Sequence, residues 1–395
     1  RHNGKMYKII SKCFGSTVLT PEHPVLCARR DKVGIHNETF TTNWVRADSL
    51  RKGDYLVYPI LSEVKDMDFV DVQWKKSTMD RKSKQLPQEI QVNADLMRLA
   101  GYYIAEGHIH DRTIEFTFNE KEKNYAEDVK SIVERLFDLK ANETVRHERN
   151  TRGIRIYSSQ LTRLFTEWFE TGALNKKIPH FMMLLPPEKQ KHLLKGLWRG
   201  DGYIGTKKAA YKTISKMLTE QIKMLLLRQS IVPSISENKA YGIHKKSYNI
   251  EVCGRKNLAM LKSMLTEEEV TDSYATYSRE RFVLSKTHVF LPVRKIETFD
   301  YDGDVYNFEV EDVQSYVSEN ATLHNCGDFT ILSTLKSAIV ELGIPQHQTL
   351  IVSGIGCGSK TPHYIKAYGF EGLHGRALPV ATGAKLANHE LNVIV

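Results

Sequence analysis

Three groups of residues in this 395-residue chain have the types and spacing that chemistry requires. In Leu323-His324-Asn325-Cys326 the Asn325 side-chain amide can attack its own carbonyl carbon and close a succinimide, cutting the chain after Asn325. Cys326 carries the best side-chain nucleophile at neutral pH. His324 can give or take the proton that such a step needs. Far upstream, Thr20 and His23 stand in Leu-Thr-Pro-Glu-His-Pro-Val, where a hydroxyl and an imidazole can hold and protonate one peptide group. In the middle of the chain Glu106 and Asp201 each close a short apolar stretch just before a glycine.

The elements that must position the two acids repeat. Leu96–Gly107 has a counterpart 95 residues on, ending at Gly202, and both read as short apolar helices. Each has two small residues four apart on one face, Gly101/Ala105 and Gly196/Gly200, a spacing that lets two helix backbones approach closely. A carboxylate at a helix C-terminus opposes the macrodipole, so stability alone would avoid it. If the helices cross side by side, the acids become neighbours. That pair suits a hard divalent cation, Mg²⁺, that activates water for phosphodiester hydrolysis. Strands are expected at Thr113–Phe118, Ile154–Tyr157, Ala210–Thr213, Ala240–His244 and Tyr248–Cys253. Helices are expected at Glu122–Phe137 and Lys216–Gln229, giving two α-β-β-α-like halves related by a pseudo-twofold.

Around this middle part the pattern changes to short β-branched runs: Tyr7–Ile10, Ser16–Leu19, Phe40–Thr42 and Tyr55–Ile60 before it, and Val293–Phe299 and Val305–Val310 after it, the last two joined by a turn at 301–304. From Cys326 onward an α/β pattern takes over. A helix is expected over Phe329–Leu342, a buried strand at Thr349–Ser353, a Gly-rich turn at Gly354–Lys360, a helix at Val380–Asn388 and a strand at Leu391–Val395.

The totals bound the rest. The length allows two or three domains, and 41% apolar with 26% charged residues is globular rather than disordered. No apolar run approaches a membrane span and no signal peptide is present, so no membrane partner is expected. Five cysteines at no disulfide spacing point to a reducing, cytoplasmic setting. Residues 176–262 hold 18 Lys/Arg against 5 Asp/Glu, a net of +13 within a chain of net +9. A basic block interleaved with tyrosines suggests a polyanion partner. The chain begins with Arg1 and ends inside a strand-like run, and is read as a fragment at both ends.

Three resemblances carry these patterns further. Thr20-x-x-His23, Trp44–Ala47, Leu50–Leu56, Val305–Val310 with Gln314–Val317, and Ala321–Asn325 resemble the blocks of inteins, which fold as the all-β Hint unit. The resemblance implies cofactor-free protein splicing. Thr20 and His23 would aid an acyl shift at an N-terminal nucleophile absent here, Cys326 would accept the acyl chain, and Asn325 would cyclise with help from His324. Asn307 and Gln314 depart from the Asp and His usual in that block, and amides cannot transfer protons. Residues 90–290 resemble a two-repeat LAGLIDADG homing endonuclease. This implies a double-stranded DNA target, Mg²⁺ on Glu106 and Asp201, and an active-site lysine at Lys176, with Lys177 as alternative and Lys286 as a possible counterpart. Residues 326–395 resemble the start of the thiamine-diphosphate-binding β subunit of 2-oxoacid:ferredoxin oxidoreductases. This implies Cys326 and Cys357 as two [4Fe–4S] ligands, thiamine diphosphate with Mg²⁺ near Gly356, Lys360, His374, Gly375 and Arg376, and an α subunit and ferredoxin as partners. The fold class expected is therefore multidomain. An all-β unit (1–75 and 291–325) is split by an α+β two-repeat unit (90–290) and followed by an α/β start (326–395).

Overall fold

A computed structural model of the chain describes residues 2–29, 41–74, 84–240, 245–266, 282–308, 310, 313–324, 327–355 and 357–395. In chain order, the first unit contributes β1 (His2–Ser11), β2 (Ser16–Leu19), β3 (Pro24–Ala28), β4 (Thr42–Arg46) and β5 (Tyr55–Pro59). A two-stranded ribbon, β6 (Phe69–Asp71) with β7 (Glu89–Gln91), leads into the middle unit. The first repeat there is α1 (Ala94–Glu106), β8 (Gly107–His110), β9 (Thr113–Asn119), α2 (Lys123–Phe137), β10 (Asn142–Arg146), β11 (Thr151–Tyr157) and α3 (Ser159–Phe169). After the short α4 (His180–Leu184) the second repeat is α5 (Pro187–Asp201), β12 (Gly202–Ile204), β13 (Lys208–Thr213), α6 (Lys216–Arg228), β14 (Ser234–Asn238), β15 (Ser247–Cys253) and α7 (Arg255–Thr266). The β unit returns with β16 (Val283–Leu284), β17 (His288–Gly303), β18 (Ser315–Val317) and β19 (Thr322–His324).

The strands of the split unit form one curled antiparallel sheet in the order β18-β19-β3-β5-β17-β1-β2, with β4 beside β3 and β16 beside β17. Strands from both sides of the insertion interleave, so neither half can complete the sheet alone. Ile9, Phe14, Val25, Cys27, Leu56, Tyr58, Val289, Leu291 and Leu323 fill its interior. Cys13 and Cys27 are buried, and burial pushes the Cys27 thiol up to about 12, which leaves it inert.

The sequence reading and the structure differ at several elements, among them β4, which occupies Thr42–Arg46 where the strand was expected at Phe40–Thr42. The turn expected at 301–304 is instead the end of β17, which runs beside β1 from Ser11↔Val293 to His2↔Gly303. A ten-residue partner strand outweighs the local Asp-Gly turn signal. No strand forms at Val305–Val310 among the described residues, because no neighbour offers a ladder there and Tyr306 and Phe308 are exposed. Ser234–Asn238, not expected as a strand, pairs to β15 from Ser234↔Glu251 to Asn238↔Ser247; of the strand expected at Ala240–His244, residues 241–244 lie outside the described residues.

In the middle unit each repeat lays its sheet, β10-β11-β9-β8 or β12-β13-β15-β14, against its own helices. One continuous core holds both, including Met97, Tyr102, Tyr103, Phe116, Val133, Leu194, Trp198, Tyr211, Leu225 and Ile250. Val72, Leu86, Ile90 and Val92 join that core. The final segment has α8 (Gly327–Glu341), β20 (Thr349–Ser353), α9 (Thr361–Tyr364), β21 (Tyr368–Glu371), α10 (Ala377–Ala387) and β22 (Asn392–Ile394). Its three strands are parallel, in the order β21-β20-β22.

Candidate functional site

The pair α1 and α5 forms because both sequences start and stop cleanly and leave a groove on one face. Asn93 caps α1 by accepting from the Asp95 and Leu96 amides, and Pro187 opens α5. At the crossing the backbones touch. A Cβ on Gly101 would lie 2.2 Å from the Leu193 carbonyl oxygen, and one on Gly196 would lie 2.3 Å from that of Arg98. One turn further along, a Cβ on Gly200 would sit 2.5 Å from the Ala105 Cβ and 2.9 Å from the Glu106 Cγ. The small-residue spacing therefore brings the end of α5 directly against Glu106, with Asp201 the next residue.

The acids repel one another and have lost much of their water. Burial first, then Asp201, then Glu122 push the Glu106 carboxyl up to about 7, partly offset by Lys176. Burial also raises Asp201, again against Lys176, although part of its side chain still reaches solvent. Tyr211, fully buried behind them, is held well above its ordinary value by burial and by both acids. A site that holds two carboxylates and penalises their charge is suited to a cation. Among the described residues no group of three or more His, Cys, Asp and Glu forms a complete metal cage. Two hard oxygen donors nevertheless fit Mg²⁺, which keeps several waters and takes further oxygens from a phosphate.

Lys176 stands beside the pair and is buried. Its Nζ donates to the carbonyl oxygens of Tyr103 (2.9 Å), Ile104 (2.9 Å) and Gly107 (2.6 Å), so all three hydrogens close the C-terminal end of α1. Burial lowers its pKa to about 8 against the pull of Asp201 and Glu106. Lys177 instead pairs with Glu170, and Lys286 is exposed in the turn between β16 and β17. Sequence reasoning missed the latch beside the crossing. Arg199 of α5 donates to the Tyr102 hydroxyl (3.0 Å) and to Asp128 (3.2 Å), and Arg98 of α1 holds the same carboxylate at 2.6 Å. The outer faces of the two sheets carry polar side chains, among them Thr117, Thr144 and Arg146 on one and Lys212, Ser236 and Asn249 on the other. Each also has a cross-strand ion pair, Arg155–Glu115 and Lys208–Glu251.

A second constellation lies on the curled sheet. His23 sits in the turn before β3, its amide 3.2 Å from the Thr20 carbonyl, and Leu323 of β19 pairs with Val25 of β3. This brings His324 near His23. Burial lowers the His23 pKa and His324 lowers it further, against Glu22, so the ring is neutral at pH 7. Tyr316 and Trp44, named from sequence only within longer blocks and given no role there, complete the group. The Tyr316 hydroxyl donates to Asn307 Oδ1 at 2.8 Å and lies 3.4 Å from His23 Nε2. The Trp44 ring meets His324 edge-on at 4.8 Å. Gln314 has a left-handed backbone, φ 48°. Asn325 and Cys326 lie outside the described residues.

In the final segment Lys360 faces Glu371 at 3.8 Å, at the C-terminal end of β21. His374, Gly375 and Arg376 form the exposed turn that opens α10, with Gly375 at φ 69°. All lie at the C-terminal edge of the parallel strands, where α/β sheets take ligands. Gly356 is outside the described residues, and Cys357 begins a short 3-10 turn.

Residues 93–168 and again 188–265 match the family described as a LAGLIDADG-like domain. Over 363 residues the chain is 29% identical to an uncharacterized protein of Methanocaldococcus jannaschii, covering 82% of this chain and 45% of that protein. Seventy residues, the length of the run 326–395, are 56% identical to the beta subunit of 2-oxoacid:ferredoxin oxidoreductase 2 of Aeropyrum pernix, covering 18% of this chain and 23% of that subunit. The chain thus spans less than half of these curated relatives. Among solved structures, the homing endonuclease I-DmoI in complex with DNA and Ca aligns at 15% identity and a TM-score of 0.36, covering 47% of this chain and 96% of that one. No helix among the described residues is long and apolar enough to cross a membrane.

Proposed function

We propose that this chain, which carries a two-repeat LAGLIDADG-like domain and a segment matching an oxidoreductase beta subunit, is a site-specific DNA endonuclease housed in a self-splicing unit. The observation that carries the nuclease is the crossing at Gly101, Gly196 and Gly200, which sets Glu106 against the end of α5 where Asp201 stands. Glu106 and Asp201 would hold the metal. A bound Mg²⁺ supplies Lewis-acid activation of water and stabilisation of the leaving oxygen. Lys176 closes the end of α1 and adds a fixed positive charge beside both acids. The polar outer faces of the two sheets meet double-stranded DNA, with the basic second repeat on the phosphates. Cutting should require Mg²⁺ and be lost in Glu106→Gln and in Asp201→Asn. Unchanged cutting in those variants overturns the assignment.

The split β unit supports the splicing half of the reading. Strands from both sides of the insertion interleave in one sheet, and His23, Tyr316, Asn307 and His324 converge on it. In this reading neutral His23, with Thr20, handles the upstream peptide group, His324 moves the proton for Asn325 cyclisation, and Cys326 accepts the acyl chain. The Tyr316 hydroxyl, donating to Asn307, leaves its lone pair facing His23 Nε2. It thus orients the imidazole where Asn307 and Gln314 supply no titratable group. Incubation of the chain should cut it between Asn325 and Cys326, and Asn325→Ala should stop this. In the spliced host, Lys360 and the His374–Arg376 turn ahead of α10 offer positive charge and backbone donors suited to the diphosphate of thiamine diphosphate. Cys326 and Cys357 would supply two of the thiolates of a [4Fe–4S] cluster.

A further inference from the structure

We infer that Lys223, on α6 of the LAGLIDADG-like domain, is a positioning residue for cleavage at Asn325; the inference rests on the splicing reading above. Its side chain is completely buried. A lysine there loses its hydration and needs compensation from every side. The Nζ donates to the Glu319 carbonyl oxygen at 2.8 Å and pairs with Glu220 one turn back on the same helix. It also lies 5.0 Å and 4.6 Å from the ring centres of Phe14 and Tyr58. Both aromatics belong to the curled sheet's unit, not to the unit that carries the lysine. A methionine would fill the same space without the cost of burying a charge. What the lysine adds is a charged donor that links the Glu220 carboxylate of its own helix to the Glu319 carbonyl.

That carbonyl lies at the tip of the β18–β19 hairpin, where the Ser318 amide bonds the Ala321 carbonyl at 2.8 Å. The other side of the tip is held by Asn320, fully buried, whose Nδ2 donates to the carbonyls of Ile9 (3.1 Å) and Gly15 (3.2 Å) and whose Oδ1 accepts from Thr17 at 2.7 Å. Lys216, also on α6, pairs with the Glu319 carboxylate. The tip is therefore clamped between the sheet and a helix of the inserted domain. Directly beyond it, β19 has three residues and meets β3 at a single pair, Leu323↔Val25. So short a strand has little hold on its own direction, and its anchored tip sets where His324 stands against His23 and Tyr316. A displacement of about 1 Å is enough to slow such a step severely.

The test uses the full chain and the variants Lys223→Met and Lys223→Gln. Lys223→Met should slow cleavage between Asn325 and Cys326 by about tenfold or more and speed amide exchange over residues 315–324. Both variants lose the pairing with Glu220, so their thermal midpoints should fall by similar amounts. Mg²⁺-dependent DNA cutting should not change. Lys223→Gln, which keeps a donor for the Glu319 carbonyl, should recover part of the rate. Wild-type cleavage and exchange in Lys223→Met overturn the inference. So does a rate loss that Lys223→Gln relieves no better than its midpoint, because that is the signature of general destabilisation. If the unaltered chain never cuts at Asn325, the splicing reading fails and the cleavage role with it. Exchange over 315–324 then decides the clamp alone, and unchanged exchange disproves that too.

Discussion

Glu106 occupies a place where a carboxylate is costly, at the C-terminal end of a helix, largely stripped of water and facing a second acid. Its pKa, moved from 4.5 to about 7, has a testable sign. Between those values the folded protein keeps a proton that the unfolded chain has released, so stability falls as pH rises through that window. The loss can reach about 3 kcal/mol. Thermal unfolding in a chelator should show a lower midpoint at pH 8 than at pH 5. Mg²⁺ should restore it at pH 8, and Glu106→Gln should flatten the metal-free curve; a flat curve in the unaltered protein contradicts the site's electrostatics. Lys176 makes a second case. Lys176→Met removes three charged hydrogen bonds at the end of α1 and should cost about 3 kcal/mol, visible in denaturant unfolding, as well as slow cutting. The acids were legible in sequence because each repeats the same context of apolar helix, acid and glycine. Tyr316 was not, because its contact with His23 spans 293 residues and nothing local announces it.

At the scale of elements, the helix crossing tolerates no side chain. Gly196→Ala puts a Cβ within 2.3 Å of the Arg98 carbonyl oxygen, a backbone atom that cannot swing away. The helices must separate, at about 3 kcal/mol or more, and the acids must part. Chemical denaturation should register the cost, and Mg²⁺-dependent cutting should fall further than the stability loss alone explains. The crossing could be read from small residues four apart because close backbone approach demands that spacing. The return strand β17 could be read only in part. Its interior alternation was clear, but its last residues carry Asp-Gly, and only the length of β1 decides that they remain extended. The missing strand at Val305–Val310 makes the converse point: β-branched and aromatic residues form a strand only where a neighbour offers hydrogen bonds.

For the whole molecule, the curled sheet and the two-repeat unit are not joined merely end to end. Leu227 and Val232 of the second repeat lie in the sheet's own core. The Ile235 amide bonds the Cys13 carbonyl at 2.6 Å, and Arg228 reaches the carbonyls of Leu61 and Glu63 at 2.7 Å and 2.8 Å. Units that share a core melt together. Calorimetry should therefore show one transition for residues 2–324, and Val232→Ala should lower both ends of it, with hydrogen exchange rising in each unit. Two resolved transitions would show that the units are independent. The sequence announced the two units through their change of period, from alternating strands to paired helices. The seam between them was hidden, because Leu227 and Val232 look like ordinary core residues of the repeat in which they stand.

That seam constrains inheritance. A gene that lost the insert cleanly would leave Phe14 and Tyr58 facing water and the hairpin tip without its lysine, so losing the insert demands new residues to fill the gap. Losing the acids demands nothing of the kind. Descendants of this chain should accordingly shed Glu106 or Asp201 long before they shed α6, and the two-repeat unit would persist as a structural tenant of the curled sheet.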